Sequence, residues 1–244
     1  MTIEIGQVES IFRYPIKSMA GERLESAMLS WHGIVADRRL ALRRTQDRSG
    51  FPWLTGTKLP SLLQFTPLHN GKDDPDGLPT HVRTPEGKVM GVFEQELAEE
   101  IESRLGAPVQ MMHMRDGVFD DGSVSVITSD TVENIATLSA TPADNRRFRP
   151  NIVVRLLQPG PWQEDNWLGS VLTFGDSADS ARVSVTVNDV RCAMVNYDPD
   201  SGQSSPQILK SIVQTNKNNA GIYGTVIRPG SLAIGQAVRL EEGR

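Results

Sequence analysis

The 244-residue chain holds a single cysteine, Cys192. Within this chain that excludes a disulfide, a CxxC zinc site and a cysteine-ligated iron–sulfur cluster. Three readings of Cys192 remain: a buried small hydrophobe, a reactive thiol, or one soft ligand to a metal. Histidine is also scarce. His32, His69, His81 and His113 are the only four. No two have metal-ligand spacing and none sits in a nucleophile–base motif, which counts against zinc chemistry and against a Cys192–His hydrolase. Long apolar runs are missing too: nothing approaches the roughly 18 residues of a membrane span. The opening MTIEIGQVESIFRYPIKS has no apolar core of a signal peptide. The expectation is a cytoplasmic protein in a reducing compartment, with no membrane partner. Basic charge is not in excess either. With 25 Lys and Arg against 30 Asp and Glu, net −5, nothing draws the whole chain to nucleic acid.

What the chain does have is turn formers. Its 21 glycines and 15 prolines are about 15% of the residues, against ~12% in average usage. That favours short strands over a helical bundle. In Arg182–Val187 valine alternates with polar residues at period two, the mark of a half-buried strand. Gly122–Ile127 and Ala237–Leu240 read the same way. His81–Arg83 and Lys88–Met90 flank Thr84–Gly87, a hairpin turn.

Three short helices interrupt the strands. Over Glu94–Leu105, Leu97, Ile101 and Leu105 recur every four residues, and Gly106 and Pro108 stop the run. Asp130 and Glu133 have capping-box spacing and predict a helix over 130–138. Ser205 and Pro206 make an N-cap and first-turn pair, with Ile208, Leu209, Ile212 and Val213 as one face. Asn70–Gly77 is linker-like but lies between strands and reads as a long hairpin loop. Arg115–Gly117 is the better join, giving units 1–115 and 116–244.

Four segments combine cationic or hydroxyl groups with a stiff backbone: Tyr14–Ser18, Gly33–Arg39, Arg146–Asn151, and Arg191–Cys192 with Asn188 before it and Asp198–Gly202 after. Singly, each has a plain structural reading. Lys17–Ser18 suits a solvated turn, Asp37–Arg38 a surface ion pair, and Arg146–Arg149 an exposed basic loop. Together they supply the donors that hold a phosphate and a polar heterocycle. Pro150 fixes the backbone between Arg149 and Asn151. Arg191 would lower the thiol pKa of Cys192 if the two side chains converge. Met111, Met112 and Met114 beside His113 read as core filling at a strand end, not a copper site. Trp162 and Trp167 either wall a substrate entrance or anchor a loop.

The order YPIKS, GIVADRR, RRFRPNIVV, NDVRC and YDPDSG resembles that of proteins with a MOSC N-terminal β-barrel followed by a MOSC domain, the molybdenum-cofactor sulfurase C-terminal type. Gly221–Gly224 and Pro229–Gly235 extend the resemblance over nearly the whole chain. It is most similar to the branch that reduces amidoximes and N-hydroxylated bases. The resemblance implies a mainly β chain of two packed barrel domains and a pyranopterin molybdenum cofactor with Cys192 on the metal. The cofactor would be held by Lys17, Ser18, Arg38, Thr128, Arg149 and Asn151, with Arg39 and Thr131 as neighbours. It also brings pyridoxal phosphate in as a further cofactor to consider. Longer bacterial relatives carry a ferredoxin-type domain with four cysteines and mitochondrial ones a membrane anchor. Neither is present here, so the expectation is a separate flavin, ferredoxin or b-type cytochrome reductase as electron donor. Residues 141–147 depart from the relatives' pattern, which bears on a substrate-facing loop. The expected activity is reduction of small N-hydroxylated compounds. The alternative is a carrier that holds the cofactor or sulfur on Cys192 without turnover.

Overall fold

The first half of the chain runs β1 (Thr2–Arg13), β2 (Glu22–Leu24), β3 (Ser26–Ser30), β4 (Gly33–Ile34), β5 (Leu40–Arg44), β6 (Thr66–Leu68), β7 (His81–Arg83), β8 (Val89–Gly91), helix α1 (Gln95–Leu105) and β9 (Val109–His113). The second half continues with β10 (Val124–Thr128), α2 (Ser129–Ser139), β11 (Ile152–Leu156), β12 (Val171–Phe174), β13 (Ala181–Val190), α3 (Gln207–Asn216), β14 (Asn219–Arg228), β15 (Gly230–Ala233) and β16 (Ala237–Glu241). The computed structural model describes residues 2–69 and 77–242. Nearly all of the linker-like run Asn70–Gly77 lies outside the described residues. The expectation of a mainly β chain with three short helices is met.

Period-two burial builds the long strands. In β13, Ala181, Val183 and Val185 are buried while Arg182 and Ser184 between them are not. Such strands bury one face only by wrapping it inward. Seven of them close a barrel in the order β11-β10-β14-β13-β12-β16-β1, with β1 pairing back onto β11. Only the β10–β11 neighbours run parallel, because α2 forms the crossover between them. Val8, Ile11, Val126, Phe174, Val183 and Ile222 fill the interior. β2 extends the sheet beyond β1.

The remaining strands make three smaller sheets: β15-β3-β4, β5-β9 and β6-β7-β8. A second core of Ile16, Met19, Leu40, Leu62, Phe65 and Ile101 ties β5 and α1 to the exit of β1. A third, with Phe148, Val153, Val195 and Ile212, lies under α2 and α3. A cut at residues 115/116 falls between β9 and β10, but hydrogen bonding crosses it: β1 pairs with β11 and β16 of the second half as well as with β2.

The helices differ from expectation at their starts. In α2 the cap is Thr128, whose side chain accepts from Thr131 N, not Asp130. The Asp130 carboxylate instead accepts from Gly160 N at 3.1 Å. In α3 the cap position is Pro206, with no side-chain bond of its own, and Ser205 is displaced from that role. Asn196 Oδ1 takes the Leu209 N–H at 2.9 Å, so a distant residue does the capping. Val213, expected on the apolar face, is exposed. α1 ends as predicted, on Gly106 in the left-handed region.

Barrel closure depends on a close approach at Gly6, which pairs with Leu156 on one side and Val238 on the other, beside a slip in register. A Cβ there would lie 2.2 Å from Arg155 O. Gly6→Ala is expected to cost about 1–3 kcal/mol through forced backbone shifts, a fall of several degrees in melting temperature. An unchanged melting curve would show that β1 closes the barrel without needing the bare glycine.

Candidate functional site

The segment leaving β1 and the segment entering β5 are zipped together by the backbone. Arg38 N donates to Tyr14 O, Leu40 N to Pro15 O and Lys17 N to Leu40 O, all within 3.0 Å. Asp37 sits at this junction with 0% exposure. Its Oδ1 accepts from Tyr14 N at 2.7 Å, and its Oδ2 accepts from Asn151 Nδ2 at 3.1 Å and pairs with the Arg38 guanidinium. Asn151 Oδ1 in turn accepts from Ser125 N at 3.0 Å. Arg38 Nη2 donates to Arg149 O at 3.0 Å. Three segments separate in sequence thus become one unit.

The backbone of that unit is strained. Ser18, Arg38 and Arg149 have φ of 67°, 51° and 50°. A non-glycine residue in this left-handed region costs of order 1–3 kcal/mol and persists only where its surroundings enforce it. All three residues line the same cavity, a space of about 300 Å³. Lys17 and Cys192 line it too, together with Phe51, Asp120, Asp189, Arg191 and Tyr223.

Electrostatics in the cavity are set by crowded cations. The Tyr14 ring, fully buried, has the Arg149 guanidinium 4.2 Å and the Arg38 guanidinium 4.9 Å from its centroid. Burial pushes the Tyr14 hydroxyl up to about 12 and pulls the Arg149 guanidinium down to about 10. Lys17 Nζ pairs with Asp120 Oδ1 at 2.8 Å and donates to Val118 O at 3.3 Å. Burial holds the Lys17 ammonium below the usual lysine range, with Asp120 opposing. Asp189 is buried as well, and its carboxyl is raised to about 6 by burial despite Arg191 Nη2 2.9 Å away.

Cys192 is exposed, not buried, and stands just beyond β13 as the cap residue of a 3-10 turn over Ala193–Asn196. The Arg191 guanidinium does not turn toward the thiol. Its Nε donates to Ala220 O at 2.6 Å and its Nη1 to Phe148 O at 2.8 Å. Beyond Cys192 the Asp198–Gly202 turn is pinned to the arginine run. Arg147 Nη2 pairs with Asp198 at 2.6 Å and Arg146 Nη2 with Asp200 at 2.6 Å. Of residues 141–147, only Arg147 lines the cavity.

Two of the expected site residues do not reach the cavity wall. Asn151 acts on it through Asp37 and Arg38. Thr128 faces another way: its Oγ1 and that of Thr131 donate to Glu164 Oε2 at 2.9 and 3.0 Å inside the protein. Burial raises that Glu164 carboxyl above its usual range. Arg39 donates to Arg115 O outside the cavity. Trp167 is buried in the barrel core and Trp162 packs against the helix core, so both tryptophans are packing residues. Among the described residues no group of three or more His, Cys, Asp or Glu could hold a metal.

Asp37, Asp189, Tyr14 and Tyr223 were not picked out from the sequence as site residues. Asp189 carried a readable signal, since it continues the odd-numbered phase of Val183 and Val185, where a carboxylate is out of place.

The donor set suits an anionic ligand. Arg149 Nη2, on a side chain lining the cavity, is buried without an acceptor, while Arg191 Nη2, on another, has only the Asp189 carboxylate 2.9 Å away. A phosphate-bearing heterocycle with a soft metal near Cys192 would give Arg149 Nη2 an acceptor and use the thiolate. The arrangement depends on Asp37. Asp37→Ala leaves Arg38 buried without its counter-charge and is expected to cost about 3–5 kcal/mol, some 6–20 °C in melting temperature. A shift under about 2 °C would mean that Arg38 needs no partner.

No curated protein matches the chain. Among solved structures, the YuaD protein from Bacillus subtilis is similar at 14% identity over 100% of this chain and 99% of that one, with a TM-score of 0.54, and shares the fold. YiiM from Geobacillus stearothermophilus matches at 21% identity over 50% of this chain and 55% of its own, TM-score 0.40. YiiM from Escherichia coli matches at 18% over 51% and 56%, TM-score 0.37. The family profile described as the MOSC N-terminal beta barrel domain matches residues 5–131, and that described as the MOSC domain matches residues 113–239. Each covers more than half of the 244 residues, and the chain therefore belongs to the MOSC family, with the N-terminal barrel type ahead of the MOSC domain proper.

Proposed function

We propose that the cavity binds a pyranopterin molybdenum cofactor, and that the protein uses it to reduce N-hydroxylated compounds. The family is associated with molybdenum cofactor binding. The observation that carries the reading is an exposed thiol and a buried, acceptorless guanidinium nitrogen of Arg149 on side chains lining one cavity. The cofactor, when bound, supplies two-electron redox chemistry.

The chain's own residues divide the remaining work. Lys17, Ser18, Arg38 and Arg149 hold phosphate and pterin; their charges are fixed in advance, so little reorganisation accompanies charge movement. Cys192 ligates the metal. Asn151 and Asp37 fix the direction of Arg38, and Thr128 caps α2. The overall reaction, R–NH–OH + 2 e⁻ + 2 H⁺ → R–NH₂ + H₂O, needs an electron source. One cysteine supplies no thiolate-held iron–sulfur relay among these 244 residues; the reading assigns electron delivery to a flavin, ferredoxin or b-type cytochrome reductase. Pyridoxal phosphate is the weaker candidate: among the described residues Lys17 is the one lysine lining the cavity, and Asp120 holds its amine.

Protein made in a host that synthesises the cofactor is expected to contain close to one molybdenum per chain and to turn over benzamidoxime repeatedly with an artificial donor. Cys192→Ala is expected to lose more activity than the roughly 10–100-fold that removing a ligand's supporting partner costs. Folded protein without molybdenum would overturn the reading. Bound cofactor without turnover would favour the carrier role.

A further inference from the structure

β13 does not run straight into the cavity. Its pairing with β14 slips between Val185 and Val187 and again between Asn188 and Val190. Irregularities of this kind bend a strand and re-aim a side chain. Asp189 lies at the second slip. Across from it Gly221 has φ +86°, and a Cβ there would lie 2.7 Å from Val126 O and 3.1 Å from Arg191 Nη2. The bare glycine leaves room for the guanidinium beside the carboxyl.

The surroundings of Asp189 allow its charge to change. It is 3% exposed yet forms part of the cavity wall. Ser125 Oγ, from β10, donates to Oδ2 at 3.3 Å. Arg191 is close in charge terms, but its aligned hydrogen bonds go to Ala220 O and Phe148 O. The guanidinium therefore stays anchored whether or not Asp189 is ionised. The other groups facing the carboxyl are Tyr223 from β14 and Asp120 from the segment before β10, while Arg38 acts on Tyr223. Burial raises the Tyr223 hydroxyl further above its ordinary range, so it remains protonated.

We propose that Asp189 is the general acid of this cavity, delivering a proton to the oxygen that leaves the substrate nitrogen. The proposal rests on the reductase reading above. In the step the N–O bond breaks, the oxygen departs as water with the Asp189 proton, and the nitrogen takes its second proton from solvent. The substrate gains two electrons, and a flavin, iron–sulfur or haem reductase is oxidised to supply them. The Asp189 carboxylate regains its proton from water at the cavity mouth. Burial, which places the carboxyl near 6, suits it to this exchange, because a general acid works best when its pKa lies close to the working pH.

Three proteins test this: wild type, Asp189→Asn, which keeps the volume and an acceptor oxygen, and Ser125→Ala. Infrared titration of the metal-free proteins should show a buried carboxyl ionising near pH 6 in wild type and missing in Asp189→Asn. In loaded protein of equal molybdenum content, wild-type kcat should fall as pH rises through about 6, because the acid form is the active one. Asp189→Asn should lose that limb and about 10²–10⁴-fold in kcat. Ser125→Ala removes a hydrogen bond that favours the carboxylate and should move the limb upward. An Asp189→Asn protein with wild-type rate and limb overturns the role of Asp189 alone. If that variant does not fold, an unmoved limb in Ser125→Ala overturns it instead. Wild type that holds molybdenum but does not reduce the substrate overturns the reductase reading, and this role falls with it.

Discussion

A buried carboxylate orders the cavity. Asp37 lies wholly out of water, where a bare charge is not tolerated. It is satisfied by three groups from three places: the Tyr14 amide where β1 ends, the Arg38 side chain beside it, and the Asn151 amide group just before β11. Buried ion pairs of this kind contribute little net stability, yet breaking one is costly. Their effect here is directional. With Asp37 in place, Arg38 cannot swing toward solvent, its Nη2 is committed to Arg149 O, and both guanidiniums remain near the Tyr14 ring. Two like charges so close together would otherwise separate. Left-handed backbone at Arg38 and Arg149 is enforced by the same contacts.

The walls of the cavity come from both sides of the sequence. Lys17, Ser18, Arg38 and Phe51 belong to the first fifth or so of the chain and lie in irregular segments. Asp189, Arg191, Cys192 and Tyr223 come from the rigid barrel or its immediate edge. The loop-borne groups include the cations Lys17 and Arg38, and the barrel-borne groups include the thiol and the buried acid. Binding donors on adaptable segments and reactive groups on a stiff frame is a common division, since small errors of position matter most at the reacting atoms.

Local pattern was legible wherever one strand face or one helix face decided burial. The valines of β13, the four-residue spacing of Leu97, Ile101 and Leu105, and the turn at Thr84–Gly87 all behave as their spacing indicates. The convergence of Lys17, Ser18, Arg38 and Arg149 was legible only through motif order. What escaped was decided by partners far away in sequence. Asp37 and Arg38 look like a surface pair because nothing local reveals that Asn151, 114 residues on, completes them. Thr128 carries a hydroxyl at the right place in the motif, but Glu164 claims it. Cys192 reads as buried by composition and is exposed, because β13 ends just before it and the chain turns.

The pairing of β1 has a consequence for the order of assembly. Thr2 to Ile11 find their barrel partners far on in the sequence, at Ile152–Leu156 and at Ala237–Glu241. On the ribosome the nascent β1 must therefore wait, its ladder of amides and carbonyls without strand partners, until β11 and then β16 have followed. Contacts so distant in sequence slow folding and prolong the exposure of a sticky strand edge. A translation product arrested short of residue 237 would lack one wall of the barrel and present Thr2–Gln7 as a free template for neighbouring chains.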